Sequence, residues 1–183
     1  YDPSKFTVVG NPTITDSGIA SGFSATNYIK ASYYLKENSV YSFAISGVGG
    51  APNKSRGEYL LVIQYKTNPT SNLRITLSAN SNILRFKLGD TPDVTTNITI
   101  KENERYSLNI LTDFKTFVTI TDEITGNTKT KSNYAIVDQM YGDHLIYFGT
   151  NNSVAPLVNG SIDLKAFSIT IDGEEVFKGT KTV

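Results

Sequence analysis

The sequence predicts an all-β fold, a two-sheet antiparallel β-sandwich of jelly-roll type. Three observations carry that expectation. Almost every segment alternates apolar and polar residues with period two. The alternating segments are rich in β-branched and aromatic residues and are divided by clusters of Gly, Asn, Asp and Pro. No window sustains an apolar stripe of helical period, and the best helix candidate, Tyr134 to Met140, is too short for more than a turn or two.

The elements follow in order. Phe6–Val9, Tyr28–Leu35 and Val40–Ser46 read as the first strands. "EYLLVIQYK" from Glu58, "NLRITLS" from Asn72 and "ILRFKL" from Ile83 come next, separated by turn residues at Asn68-Pro69 and Ala79-Asn80. "NITI" from Asn97, "RYSLNIL" from Arg105 and "FKTFVTITDEITGNTKT" from Phe114 complete the middle of the chain, with a hairpin expected at Thr125-Gly126-Asn127. "HLIYFG" from His144 is the penultimate strand. The last segment, "NGSIDLKAFSITIDGEEVFKG", changes its apolar parity: Ile162, Leu164 and Ala166 share one face, then Phe167, Ile169 and Ile171 share the other. A continuous strand cannot do this without turning its core residues to solvent, so an irregularity is expected near Ala166–Phe167. Asp172-Gly173 supplies the residues of a tight hairpin, and "FKGTKTV" loses the alternation and reads as a frayed end or the start of a connection.

Composition narrows the function. The 183 residues suit one domain over residues 1–183, large enough to bury a core without crosslinks. Cysteine is absent, which leaves the redox compartment open. Lys plus Arg and Asp plus Glu each number 17, so no net field favours nucleic acid or an anionic membrane. No apolar run approaches the roughly 20 residues of a membrane span, and no membrane insertion is expected. The start at Tyr1 reads as an excised or processed piece.

Beyond type, the order of segments carries information. A buried first strand, the block "NERYSLNILTDFKTFVTITDEITG" and the terminal "NGSIDLKAFSITIDGEEVF" together resemble the concanavalin A-like lectin/glucanase superfamily, in its laminin-G-like branch. Gly160, Ser161, Ile162 and Asp163 match the opening of that branch's last strand, which returns beside the first. The same block looks like modules in phage tail and surface proteins and in secreted bacterial polysaccharide-binding proteins. The resemblance covers most of the chain and implies an extracellular or virion location, but the superfamily carries lectins, glycosidases, adhesins and structural modules on one scaffold.

Chemistry therefore has to be read from the residues. A glycosidase needs two carboxylates across the scissile bond. The alternating Glu-x-Asp-x-Glu run of the superfamily's glucanases is missing, Asp122-Glu123 and Asp172–Glu175 put their acids on opposite faces or in turns, and Glu102/Glu104 sit in a polar segment. No enzyme activity and no catalytic residues are expected. His144 is the single histidine, so neither a histidine metal cage nor a Ser-His-Asp set can be built around it from nearby sequence. No cofactor is expected, with Ca²⁺ left open because Asp138, Asp143, Asn151 and Asn152 are hard oxygen donors in or beside the same loops.

Sugar recognition rests on aromatic platforms and hydrogen-bonding side chains. The tyrosines at 28, 33, 34, 65, 141 and 147 are the natural platforms. "DQMYGDHL" groups Tyr141, Asp143 and His144 around Gly142, and with Asn151 and Tyr65 these form the candidate ligand-binding set. "SGVGGAPNKSRGE", cationic at Lys54 and Arg56, is the second exposed loop. The expected role is a non-catalytic carbohydrate-binding or adhesion module contacting cell-surface or plant polysaccharide. The alternative is a structural module contacting neighbouring virion or surface subunits.

Overall fold

A computed structural model describes the chain except for residues 69, 71, 135–140, 151–155 and 182–183. A single turn of 3₁₀ helix at Pro3–Lys5 precedes β1 (Thr7–Val9), β2 (Thr13–Ile14), β3 (Ile19–Ser21), β4 (Tyr28–Leu35) and β5 (Tyr41–Val48). Then follow β6 (Glu58–Tyr65), β7 (Asn72–Leu77), β8 (Ile83–Leu88), β9 (Val94–Thr99), β10 (Arg105–Thr112) and β11 (Phe117–Asp122). β12 (Thr128–Ser132), β13 (Gly142–Phe148), β14 (Ser161–Asp163), β15 (Ser168–Ile171) and β16 (Glu174–Lys178) complete the order. All their pairings are antiparallel.

The strands form two sheets, as the alternation predicts. One is seven-stranded in the order β1-β4-β13-β6-β7-β8-β9. The other runs β12-β11-β10-β5-β14-β3-β2, with β15 also on β5 and β16 on β15. Each sheet turns its apolar parity inward. Leu73, Ile75 and Leu77 of β7 and Leu84, Phe86 and Leu88 of β8 meet Phe43, Ile45, Leu108, Ile110, Val118 and Ile120 in one continuous core. Burial of this size supplies the driving force that a chain without disulfides needs.

The parity change in the last segment is a turn, larger than a simple bulge. Ile162 pairs with Gly47 and Ser168 with Ala44, so the returning chain spends more residues than β5 over the same stretch. The Asp163 side chain holds the excess by accepting the backbone N–H groups of Lys165 and Ala166 at 3.0 and 3.3 Å. Phe167 can then enter the core, its ring edge-on to Phe148 at 4.8 Å. Asp172 and Gly173 have φ of 47° and 86°, the left-handed pair that a two-residue hairpin requires. Asp172 also accepts the Val40 N–H at 3.0 Å. Both aspartates are therefore occupied structurally.

The chain end differs from the sequence expectation. β16 extends to Lys178, Gly179 N–H donates to the Phe167 carbonyl, and Asp2 N–H donates to the Gly179 carbonyl at 2.7 Å. The tail through Gly179 is thus sealed by the first residues. β1 itself pairs with β4, while β14 and β15 lie on β5, so the last strand does not return beside the first.

Candidate functional site

β13 begins at Gly142, so Asp143 and His144 are strand residues and the loop expected around them is corrected. Neighbours in a strand point to opposite faces. Asp143 is exposed and opposite Tyr34, whereas His144 is 1% exposed and faces the core. Its ring stacks on Tyr65 at 5.2 Å and lies 6.4 Å from Phe114. His144 Nδ1 is 2.9 Å from the Gly142 carbonyl, which can only accept, so Nδ1 carries the hydrogen and Nε2 is left buried without a partner. Tyr65 and His144 are thus brought together, but as packing rather than as an open ligand contact.

Burial pushes the His144 pKa down, against smaller opposing effects of the Gly142 carbonyl and Asp143. The consequence for stability has a definite sign. Above about pH 6.5 the ring is neutral in folded and unfolded chains alike, and its full contribution is present. As pH falls below that value the unfolded chain takes up the proton first, and stability declines until the lower folded pKa is passed. Urea unfolding followed from pH 8 to pH 5 (roughly, the range of histidine switching) is expected to show this loss. His144→Phe is expected to remove that component of the slope; an unchanged slope would contradict the neutral buried ring.

The other candidates disperse. Tyr141 lines a cleft of about 230 Å³ at one end of the sandwich with Asn38, Ser39, Val40, Asp113 and Lys115. Burial, followed by the Glu37 and Asp113 charges, pushes its pKa up. Tyr28 and Tyr147 are buried against each other at 6.0 Å, and Tyr33 is edge-on to Tyr41 and Phe177, which corrects their reading as open platforms. Tyr34, at 60% exposure, stays open. Glu102 and Glu104 are exposed in the turn before β10. Asn151, Asp138 and Asn152 lie outside the described residues. Among the described residues no group of three or more His, Asp or Glu side chains could hold a metal ion.

A different site emerges on the outer face of the seven-stranded sheet. The register places Tyr59, Thr76, Arg85 and Thr95 in one row across β6, β7, β8 and β9. Val62, Arg74 and Lys87 form the next row. Tyr59, Thr76 and Arg85 of the first row and Arg74 and Lys87 of the second line a second cleft of about 230 Å³ with Arg56, Asp93 and Glu58. Glu58 is committed elsewhere. Its carboxylate accepts the Val158 N–H at 2.8 Å, and burial pushes its pKa up against the smaller effects of that hydrogen bond and of Arg56. The cleft is therefore rich in donors, carries one half-buried tyrosine ring and holds four cationic side chains. Sequence reading passed over Arg74, Arg85 and Lys87 because each occupies the polar half of an ordinary alternating strand. The usable sign was a basic residue at outward parity on two consecutive strands, Arg74 on one and Arg85 and Lys87 on the other, with no acid among them.

Comparison with solved structures places this architecture in the concanavalin A-like fold. The binding domain of botulinum neurotoxin serotype G superposes with a TM-score of 0.65 at 14% identity, over 94% of this chain and 44% of that one. Alginate lyase from Alteromonas sp.272 superposes with a TM-score of 0.58 at 12% identity, over 93% and 96% of the two chains. Domains LG4-5 of the mouse laminin α1 chain give 0.57 at 10% identity, over 93% of this chain and 46% of that one. The chain thus spans less than half of the toxin and laminin chains but nearly the whole lyase. No protein-family model matches the sequence, and no curated protein matches it. Identities this low establish the fold alone.

Proposed function

We propose that this domain is a non-catalytic carbohydrate-binding or adhesion module of a phage virion or a secreted bacterial surface protein, and that it holds its ligand on the outer face of the seven-stranded sheet. The observation that carries the reading is the cleft lined by Tyr59, Arg74, Thr76 and Arg85, where a ring and several fixed donors converge on one indented surface. Rings stack on the apolar faces of sugars, and donors anchored on strands read hydroxyl and acid groups with little loss of freedom. The non-catalytic part rests on two placements. The buried acid at the cleft, Glu58, is tied to the backbone of Val158, and the single histidine points into the core. Of the two carboxylates at the cleft, Glu58 is thus taken by the backbone, which leaves Asp93 without the second free carboxylate that glycoside hydrolysis uses.

A glycan array probed with the isolated domain, followed by incubation of each bound polysaccharide, tests both parts. Binding without new reducing ends and without the ultraviolet absorbance of an unsaturated uronate is the expected result. Release of either product would make the domain an enzyme. Binding to no glycan would favour the structural module that contacts neighbouring subunits.

A further inference from the structure

The charges in the cleft are unequal: Arg56, Arg74, Arg85 and Lys87 line it against Asp93 and Glu58, and the Glu58 carboxylate is tied to the Val158 N–H. Arg74 stands directly opposite Lys87 on adjacent strands, with Arg85 one alternate position from Lys87 and Arg56 at the rim. Like charges placed directly opposite each other across a sheet destabilise it. Acids could offset this, yet the one ion pair within 4.0 Å among the described residues is Lys178–Glu175, on the other sheet. The Nε atoms of both Arg74 and Arg85 are buried and lack a hydrogen-bond partner. A chain of zero net charge has thus gathered four cations against two acids on one surface and left the Nε–H groups of two arginines without a partner.

We propose that the cleft recognises an anionic polysaccharide, with Arg74 and Arg85 pairing to carboxylate or sulfate groups along the chain and Lys87 adding a point charge. This rests on the glycan-binding reading above and names its ligand class. Guanidinium offers paired N–H donors in a plane that matches the two oxygens of a carboxylate or sulfate, which a neutral sugar lacks. Bound anion would also relieve the Arg74–Lys87 repulsion, so the unfavourable arrangement in the free protein becomes favourable in the complex. A polyanion held at the cleft centre leaves Tyr59 and Thr76 beside it to contact the sugar rings.

The test uses the full chain and four immobilised probes: polygalacturonate, dextran sulfate, uncharged dextran and a DNA oligonucleotide of matched charge, at about 0.15 M salt. The expected result is binding to polygalacturonate or dextran sulfate, or to both, with neither dextran nor the oligonucleotide retained. The first two probes separate carboxylate from sulfate preference. R74Q/R85Q is expected to weaken that binding at least about tenfold, with R74K keeping part of it because charge survives without the fork. Should the double variant fold poorly, K87Q replaces it and is expected to weaken binding severalfold. Equal affinity for dextran and dextran sulfate, retention of the oligonucleotide, or variants that bind like the parent would overturn the proposal. Binding of neutral glycans alone would sink only the anionic ligand, while silence across every probe and the glycan array would sink the function as well.

Discussion

Phe167→Ala is expected to cost about 3–5 kcal/mol, the usual loss for a large aromatic side chain emptied from a core. Phe167 has no exposed surface although it lies in the turn between β14 and β15. Its ring is edge-on to Phe148 of the opposite sheet at 4.8 Å and 5.7 Å from Phe177 of β16. Phe6, from the N-terminal turn, reaches the same group at 5.7 Å from Phe148 and 5.9 Å from Phe177. One residue therefore ties both sheets and both chain ends together, and with a total stability of roughly 5–15 kcal/mol for such a domain the loss is a large share. Equilibrium urea unfolding measures it. A cost under about 1 kcal/mol would mean that the aromatic cluster does not couple the sheets.

Gly47→Ala is expected to be at or beyond the upper end of the roughly 1–3 kcal/mol typical of overpacked sites. Gly47 lies in β5 between Tyr106 of β10 and Ile162 of β14. The Tyr106 phenol crosses it to donate a hydrogen bond to the Ser161 carbonyl at 2.7 Å. A Cβ at Gly47 would stand 2.0 Å from the Ser161 oxygen and 2.6 Å from the Tyr106 hydroxyl, so backbone would have to move. The φ of Gly47 is not among the positive ones, and the whole penalty is steric. Burial accordingly pushes the Tyr106 pKa far up, which keeps the phenol protonated as the donor of this bond. Thermal unfolding of Gly47→Ala checks the effect; an unchanged midpoint would show that β14 can shift without loss.

The architecture was legible because sheets advertise themselves by period two and by their turns. Thr125-Gly126-Asn127 and Asp172-Gly173 fall between paired strands, β11 with β12 and β15 with β16, as expected. The shortest strands carried no such sign: β2 and β3 span Thr13–Ile14 and Ile19–Ser21, too few residues to show alternation. Tyr141-Gly142-Asp143-His144 misled for a different reason. Gly and Asp are turn formers locally, but β4 pairs with β13 from Gly142 onward and β6 joins from His144, and this pairing draws the segment into the sheet. The basic cleft was invisible for a third. Arg74, Arg85 and Lys87 are ordinary outward residues until the register sets them side by side, and register is a property of two strands at once.

The ligand is proposed to sit on the outer face of β6, β7 and β8. The most direct test of this placement is a titration of the isotope-labelled domain with oligogalacturonate, following backbone amide resonances. Shifts are expected to concentrate at Arg56–Tyr59, Arg74–Thr76 and Arg85–Lys87, with the amides around Tyr141 and Asp113 unmoved. Shifts gathered instead at the Tyr141 end cleft, or none at saturating ligand, would contradict the placement.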